Sequence, residues 1–465
     1  MVDDSLRTPH PPVSERRAAG KAARKRVPRG AHGEWQPPAD RPDPVAWMRA
    51  TNEGRLEEFV PHRVGRMVAS PFTFLRGAAD LMAIDLAGTP HSGHFTTAIG
   101  DAHLSNFGFY ASPERHLLLD VNDFDQAAPG PWEWDVKRLA ASIVVAGREN
   151  DLSDRVGREA VAQMVAAYAK AMALAAKTGV LGFQLQVFTV HDLRRQSRRT
   201  AMAKQVESAE QKARRRTHAT TLPKFTLRGA DGRLRMIEEP PLMVDVTPAT
   251  EAAVGASEDE IVDALDAYVE TLPYHWQRVV RSYTFQDSAY RVTGVGSAGL
   301  RTYLALLIGT DETDATFLQV KEAGPSVLDG RTGGPSSRHR HNGRRIVAYQ
   351  QRSQSASDPL LGWTSIGGRD FYVKQMRDMK GDIPVEDLDD EQLPLYARLC
   401  GALLARAHAR AGDAVGIAAY IGGGESLGRA LGDFASVYAD QTAADWAAVR
   451  AAALAGELPY TPDLR

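Results

Sequence analysis

Apolar residues along this chain recur at helical spacing in some segments and form short, turn-bounded runs in others. Helical spacing predicts helices at 45–88, from near Asp135, at 153–179, 194–216, 257–272 and 345–355, and over the Ala-rich last ~75 residues. The short runs predict strands at 94–99, 116–121, 289–293, 303–308, 316–320 and 370–376, with a hairpin and connector at 226–246. Because the later strands cluster between helical segments, the pattern predicts an α+β protein.

Composition narrows the class of protein. The chain has 465 residues, of which 43% are hydrophobic and 25% charged, with a formal net charge of -2. This charge selects neither nucleic acid nor an anionic membrane as a partner, and we expect neither. The single cysteine, Cys400, excludes an internal disulfide and is expected in a buried helix. The basic, Pro-rich residues 1–45 predict a disordered tail without a signal peptide, so the expected location is the cytoplasm.

Acidic residues follow both of the first two predicted strands. Asp101 and Asn106 lie five residues apart in one loop, so that both can face one site, and Asp123 follows the next strand. Transfer of a phosphoryl group needs a carboxylate near the acceptor hydroxyl, with an Asn and a second Asp to hold magnesium. We therefore assign Asp101 and Asn106 to catalysis, and Asn106 and Asp123 to the metal. His103 is interpreted as a structural hydrogen-bonding residue of the loop.

A glycine-rich motif occurs nearly two hundred residues later. Its residues, with the pattern Gly-x-Gly-x-x-Gly, include Gly294, Gly296, Ser297 and Gly299. Glycines let backbone amides approach phosphates closely. A dinucleotide-binding loop would lead into a helix, but this one leads into a predicted strand, which argues against an NAD-dependent oxidoreductase. Lys321 lies on the following strand, where its ammonium can hold phosphates.

The partner of Lys321 is left open by the sequence. Glu322 is excluded because neighbouring strand residues point to opposite faces. The helix predicted at 345–355 offers Gln350 and Gln351 but no Glu. Either a glutamine replaces the usual acid, or the ion pair comes from elsewhere in the chain.

The acidic loops resemble those of aminoglycoside-phosphotransferase-like kinases, whose pattern is Gly-Asp-x-His-x-x-Asn, a short hairpin and then Ile-Asp-Phe. The matching residues here are Gly100–Asn106 and Asp123, although Ile99 stands where the family has His or Arg. In that family an Asp after a Gly-Pro turn braces the catalytic loop, and this resemblance implies that role for Asp135. A Leu-Ala-x-x-His helix, similar to the one at 403–410 here, directly precedes the family's catalytic loop.

These motifs occur here in swapped order, because the glycine loop and lysine come first in ordinary kinases. The resemblance therefore implies a protein-kinase-like, two-lobed fold that is circularly permuted, a change that is feasible because the termini of natural proteins often lie close together. The implied division is a tail at 1–45, half of the large lobe at 46–255, the small lobe at 256–390, and a helical segment at 391–465 that completes the large lobe.

The chain also resembles a large uncharacterised bacterial family, catalogued as domain of unknown function 2252 and grouped with kinase-like folds. The phrases that carry this resemblance lie at 70–77, 100–109, 134–139, 294–301, 320–323 and 405–410. This resemblance supports the predicted fold but does not indicate a substrate.

Together these features predict an ATP-dependent phosphotransferase that uses Mg²⁺ or Mn²⁺ and an unidentified hydroxyl-bearing acceptor. The alternatives are a pseudokinase-type regulator that binds nucleotide, or a nucleotidyl transferase on the same fold. A metal-dependent phosphoesterase is disfavoured, because it needs further His, Asp and Asn ligands that the sequence does not supply in matching motifs. The acceptor and the oligomeric state are not predicted.

Overall fold

The computed structural model describes residues 9–216, 218–292, 294–296, 298–376 and 379–462. It is 50% helix and 15% strand, and its sheets are antiparallel, which confirms the prediction of an α+β protein. None of the helices in these ranges is both long and apolar enough to cross a membrane.

The helices are numbered in chain order. They are α1 (Val13–Arg26), α2 (Pro44–Ala50), α3 (Val60–Val68), α4 (Pro71–Gly77), α5 (Ala79–Ala87), α6 (Trp132–Glu149), α7 (Asp154–Ala175), α8 (Val180–Gln184), α9 (Val190–Ser197), α10 (Ala203–Arg215), α11 (His218–Phe225), α12 (Glu251–Val254), α13 (Glu258–Val269), α14 (Tyr274–Val280), α15 (Asn342–Ser353), α16 (Gln392–Ala411), α17 (Ala414–Ile421) and α18 (Glu425–Leu454). Short 3₁₀ helices occur at Arg29–Gly33, Glu57–Phe59, Leu104–Asn106 and Val385–Asp387.

The strands are β1 (Phe95–Ala98), β2 (Phe107–Ala111), β3 (Leu117–Val121), β4 (Ala128–Pro131), β5 (Thr226–Arg228), β6 (Leu234–Met236), β7 (Met243–Asp245), β8 (Thr284–Arg291), β9 (Thr302–Ile308), β10 (Ala315–Glu322), β11 (Gly362–Ile366), β12 (Arg369–Gln375) and β13 (Gly381–Asp382). Strands β2, β4, β11 and the short β13 were not predicted from the sequence. Each has at most five residues, and β13 is too short to show any alternation of apolar and polar residues.

Six strands form the largest sheet, in the order β11-β12-β10-β9-β8-β7, with every neighbouring pair antiparallel. Helices α13 and α15 pack against it, and Tyr268, Tyr303, Val320 and Phe371 share one apolar core there. We call this sheet with α13 and α15 the sheet region. Because neighbouring residues of a strand point to opposite faces, burying Val320 in this core turns Lys321 to the other face.

The rest of the chain is mainly helical, and its centre is the packing of α7 against α16 and α18, with α6 beside them. We call this part, with strands β1–β4, the helical region. Its core includes Trp132, Tyr168 and Cys400, each fully buried or nearly so. Cys400 thus lies in a buried helix, as predicted. The pairs β1–β4 and β2–β3 lie at the edge of this core, and β13 pairs with β2.

Residues 13–33 form a helix and a 3₁₀ helix, where the sequence predicted a disordered tail over 1–45. Helix α1 packs on α17, where Ala23 is 1% exposed. Basic residues of α1 and of the 3₁₀ helix after it bond to carbonyls at the C-terminal end of α17: Arg24 Nε donates to Tyr420 O (3.0 Å), and Arg29 Nη1 donates to Ile421 O (2.6 Å). Because the last carbonyls of a helix have no partner within it, cations are favourable there. Two positive charges of the predicted tail therefore cap the C-terminal end of α17.

This packing predicts an unusual effect of a glycine substitution. Alanine normally stabilises a helix interior by about 1 kcal/mol relative to glycine. At Gly20, however, a Cβ atom would overlap the Gly416 carbonyl oxygen and lie 2.8 Å from Ala419 Cβ. We therefore expect Gly20→Ala to lower the free energy of unfolding by about 1–3 kcal/mol, the usual cost of overpacking, as measured by urea denaturation.

Gly30→Ala is the matched control, since a Cβ at Gly30 would meet nothing within 4 Å. It should leave the urea midpoint nearly unchanged. A Gly20→Ala protein as stable as the wild type would show that α1 does not pack on α17 in solution.

Candidate functional site

Two loops meet at the edge of the helical region. Residues 99–106 connect β1 to β2, and residues 122–127 connect β3 to β4. The Asn122 amide donates to Asn106 O at 3.0 Å. Gly100 has φ +76°, and a Cβ there would lie 2.6 Å from Gln126 O. Only glycine fits this backbone at this distance, so Gly100 permits the close approach of the loops.

Asp135, in the first turn of α6, fixes the start of the first loop. Its carboxylate accepts hydrogen bonds from the amides of Ile99 (2.6 Å) and Gly100 (2.9 Å). It also contacts His408 Nε2 on α16 at 2.9 Å, with both side chains buried. The other nitrogen, His408 Nδ1, lies 2.7 Å from the Tyr168 hydroxyl. Three helices and the loop are therefore tied together at one buried carboxylate.

Asn106 and Asp123 are brought together by the two loops. Asn106 Nδ2 donates to the backbone oxygens of Asp101 (2.9 Å) and Asp123 (3.2 Å). This orientation leaves Asn106 Oδ1 without a donor among the residues described. One carboxylate oxygen of Asp123 accepts from the Asp125 amide at 3.1 Å. Burial alone would raise the pKa of Asp123, but the positive charges of Lys321 and Lys374 outweigh it and hold that pKa below its usual value.

Asp101 faces an arginine that the sequence did not suggest as a site residue. Arg138 Nε and Nη2 approach Asp101 Oδ1 at 2.7 and 2.6 Å, and Nη2 also donates to Leu75 O at 2.8 Å. Asp101 Oδ2 has no donor in the described ranges. Burial raises the pKa of Asp101 to about 6, although Arg138 opposes the shift. Asp101 is thus a carboxylate with one oxygen held in place and one available.

His103 was predicted to be a hydrogen-bonding residue of the loop, and its backbone amide donates to Asp101 O at 3.1 Å while its carbonyl accepts from the Asn106 amide at 2.9 Å. The imidazole itself has no hydrogen bond among the described residues. Its Nε2 is 3.8 Å from Asp101 Oδ1, and its buried Nδ1 has no partner among the described residues. Burial, with the nearby charges of Arg76 and Arg138, lowers the pKa of His103 well below its usual value. The imidazole is therefore neutral at physiological pH, and it fills space beside the loop.

Lys321 finds its partner in the second loop, across the boundary between the two regions. Its ammonium binds Asp125 Oδ2, and the Tyr372 hydroxyl donates to Asp125 Oδ1 at 2.6 Å. Burial would lower the pKa of Lys321, but Asp125 and Asp123 together raise it. The sequence left open whether a glutamine of the 345–355 helix or an acid elsewhere pairs with Lys321. The acid is Asp125, which lies outside that helix, and Gln350 bonds Gln354 at 3.0 Å.

The exclusion of Glu322 holds in the structure. It pairs with Arg301 at 3.2 Å and with Arg369 at 3.1 Å. These contacts lie on the opposite face of β10 from Lys321, as strand geometry requires.

Arg345 on α15 reinforces the junction between the sheet region and the second loop. Its guanidinium donates to the backbone oxygens of Ala127 (2.6 Å), Asp125 (2.9 Å) and Gly324 (2.8 Å). Gly324 follows β10 closely. The second loop is therefore held to the sheet region by both its backbone and its Asp125 side chain.

The glycine motif connects β8 to β9, so a strand follows it, as predicted. Gly294 and Gly299 have positive φ angles of 62° and 83°. Arg66 Nη1 donates to Gly294 O at 2.7 Å, and a Cβ on Gly296 would lie 3.9 Å from Gly77 Cα. Gly77 follows Arg76, whose charge acts on Asp101. The motif thus lies against the segment that borders the acidic loops. Ser297 lies outside the described residues.

Three residues of this site were not selected from the sequence, although the positions of two of them in the sequence could have pointed to the site. Asp125 stands two positions after Asp123 in the same acidic run. Arg138 follows Asp135 by three positions, so that both lie on one face of α6. Lys374 belongs to a strand that was predicted, but only the pairing of β12 with β10 places it beside Lys321.

The fold and the site together define an α+β protein in which two acidic loops of a helical region face a lysine on an antiparallel sheet. The chain belongs to the bacterial family DUF2252, since the family model described as "Uncharacterized protein conserved in bacteria" matches residues 55–452. No curated protein and no solved structure matches the chain.

The contact between Lys321 and Asp125 can be tested through stability. The side chains of Lys321 and Asp125 are 9% and 21% exposed. Replacing the Asp125 carboxylate with an amide therefore leaves the buried Lys321 ammonium without the negative charge that it contacts. We expect Asp125→Asn to lower the free energy of unfolding by about 3 kcal/mol, as for other broken buried pairs. Differential scanning calorimetry would measure the loss.

The control is Asp390→Asn, which changes the same charge at an exposed position and should leave the melting temperature nearly unchanged. If Asp125→Asn has the same melting temperature as Asp390→Asn, the Lys321–Asp125 ion pair does not hold the two regions together.

Proposed function

We propose that this protein is an ATP-dependent phosphotransferase with a circularly permuted, protein-kinase-like fold, which moves a γ-phosphate to a hydroxyl group. The observation that carries the proposal is the meeting of Lys321 with the Asp123–Asp125 loop, beside Asn106 and Asp101. Phosphoryl transfer requires positive charge on the phosphates, oxygen ligands for a metal, and a carboxylate at the acceptor. These elements come from distant parts of the chain and converge here.

The permutation is supported by the position of α16. Thr96 Oγ1 donates to His408 O at 2.9 Å, and a Cβ on Gly412 would lie 2.8 Å from Thr96 Cβ. The end of α16 therefore lies against the start of β1. A chain that ran directly from this helix into the catalytic loop would need little rearrangement, and this is the order found in the kinases that the motifs resemble.

The residues present fit a magnesium ion held jointly with phosphates. Asn106 Oδ1 and the Asp123 carboxylate are hard oxygen ligands, and the hydrogen bonds of Asn106 direct its amide nitrogen away from that role. No group of three or more His, Cys, Asp or Glu side chains suited to a metal occurs in the described part of the chain. Magnesium usually takes only one or two carboxylates and completes its shell with phosphate and water. When bound, the ion would neutralise phosphate charge.

The roles of the protein residues follow from their positions. Lys321 would bind phosphate oxygens of the nucleotide, and the glycine loop would approach them through its backbone. Asp101 would orient the acceptor hydroxyl with Oδ2, the oxygen not held by Arg138. As the acceptor oxygen bonds to phosphorus and the bond to ADP breaks, the hydroxyl proton passes to Asp101.

One observation favours a second candidate, the nucleotide-binding regulator. Arg138 binds Asp101 directly, and a cation in this position stabilises the ionised carboxylate and makes it a weaker base. The raised pKa of Asp101 argues in the other direction, because burial more than offsets the arginine. Turnover measurements decide between the two candidates.

The first test separates binding from chemistry. Asp123→Asn should weaken both magnesium-dependent ATP binding and turnover, because a metal ligand loses its charge. Asp101→Asn should leave ATP binding within about twofold while turnover falls by about 10²–10⁴-fold, the usual contribution of a general base. Calorimetric titration and ADP release, measured with a pool of hydroxyl-bearing metabolites as acceptors, would give the two quantities.

Wild-type turnover in Asp101→Asn would contradict the base assignment and favour nucleotidyl transfer. ATP binding to the wild type without any turnover would favour the regulator.

The second test is the dependence of turnover on pH. A base works when deprotonated, so activity should rise as pH increases through the Asp101 pKa of about 6 and level off above pH 7. Stopped assays between pH 5 and 8 at saturating ATP would measure this limb. A flat profile over this range would show that Asp101 does not titrate in the rate-limiting step.

A further inference from the structure

Lys374 lies on the site face of the sheet region, although nothing above requires it there. Strand pairing sets Lys321 opposite Tyr372, and Lys374 follows Tyr372 by two positions, so it points to the same face. Its Nζ is 3.2 Å from the Tyr372 hydroxyl oxygen and 5.0 Å from the centre of that ring. The ring thus positions a second lysine beside Lys321.

Lys380 approaches the same space from the connection between the two regions. It directly precedes β13, which pairs with β2 of the helical region, and its carbonyl accepts from Arg216 Nη1 at 3.2 Å. The charge of Lys374, followed by burial, lowers the pKa of Lys380 to about 7, and Asp123 opposes this shift. Burial and the charge of Lys321 also lower the pKa of Lys374. Geometry places this connection beside the second acidic loop: a Cβ on Gly108 of β2 would lie 2.6 Å from the Gly381 oxygen and 2.3 Å from Asn122 Nδ2, so the residue after Lys380 and the residue before Asp123 lie close together.

The two lysines differ from Lys321 in their partners. Lys321 binds Asp125, whereas neither Lys374 nor Lys380 has a carboxylate within 4 Å in the described ranges. Both are partly buried. Like charges in such a position repel each other and cost stability, unless an anion enters between them. Structural lysines without a role at the site would be expected to point into solvent.

We propose that Lys374 and Lys380 form a subsite for a phosphate oxyanion, beside Asp123, that binds the distal phosphates of the nucleotide. The proposal rests on the proposed function and adds two residues that neither the sequence motifs nor the kinase resemblance assigned. A triphosphate carries several negative charges, and Lys321 would divide its single positive charge between the phosphates and Asp125. Two further cations would balance these charges and would select polyphosphate over monophosphate ligands.

The test compares ligands of different phosphate length. MgATP, MgADP, AMP and inorganic tripolyphosphate would be titrated calorimetrically into the wild type, Lys374→Met and Lys380→Met. Each variant should bind MgATP and tripolyphosphate about tenfold or more weakly, because a charge-assisted hydrogen bond is lost. AMP binding should change less than twofold. The control is Lys170→Met, an exposed lysine on α7, which should bind all four ligands as the wild type does.

Thermal unfolding without ligand provides a second measurement, because it distinguishes lysines that bind an anion from lysines that only stabilise the fold. Because the substitutions relieve repulsion between like charges, Lys374→Met and Lys380→Met should melt at or above the wild-type temperature without ligand. A variant that melts lower and loses AMP and MgATP affinity equally would overturn the subsite.

The outcomes distinguish a failure of the subsite proposal from a failure of the proposed function. If the wild type binds MgATP and both variants bind it equally well, the subsite is wrong and the kinase proposal stands. If the wild type binds tripolyphosphate through these lysines but no nucleotide, the oxyanion chemistry stands and the kinase proposal fails. If the wild type binds AMP as tightly as tripolyphosphate, the lysines do not select polyphosphate, which overturns their assignment to the distal phosphates.

Discussion

The geometry of the site depends on one buried carboxylate. Asp135 accepts from two consecutive amides at the start of the first acidic loop and contacts His408 on α16. A buried carboxylate is unfavourable unless its oxygens are paired, and these contacts pair them. Because these groups come from the loop that follows β1 and from α16, the carboxylate is satisfied only when α6, that loop and α16 are all in place. The loop that bears Asp101 and Asn106 is therefore positioned by the packing of the whole helical region.

A second constraint joins this region to the sheet. Asp125 receives Lys321 and Tyr372 from neighbouring strands, while Arg345 binds the backbone of the same loop. Asp125 thus holds the sheet against the acidic loops, and Asp123, two positions away, remains exposed. Nearby lysines hold the pKa of Asp123 below its usual value, so it stays ionised. One short acidic run therefore supplies both a structural ion pair and a charged group available for chemistry.

Much of the α+β organisation could be predicted, because long helices and apolar strands carry strong periodic signals. The acidic residues of the first loop could be selected because phosphoryl chemistry specifies their types and spacing. The contact between Arg138 and Asp101 could not be selected in this way, since it depends on how α6 lies against α4 and the loop. The disorder predicted for the N-terminal segment does not hold over the helices at 13–33, because charge and proline content do not reveal that Arg24 and Arg29 bond to the carbonyls at the end of α17.

The order of the segments matters less than their contacts. In the proposed permutation, α16 contributes His408 from the C-terminal part of the chain, although it packs where the resembled kinases have the helix before the catalytic loop. Folding stability depends on the surfaces buried and the polar groups paired, whereas the order of connection changes mainly the entropy of loop closure, which grows only slowly with length. The close approach of Gly412 to Thr96 shows how short the alternative connection would be. Motifs read in chain order would therefore miss a site that exists only once α16, the acidic loops and the sheet have come together.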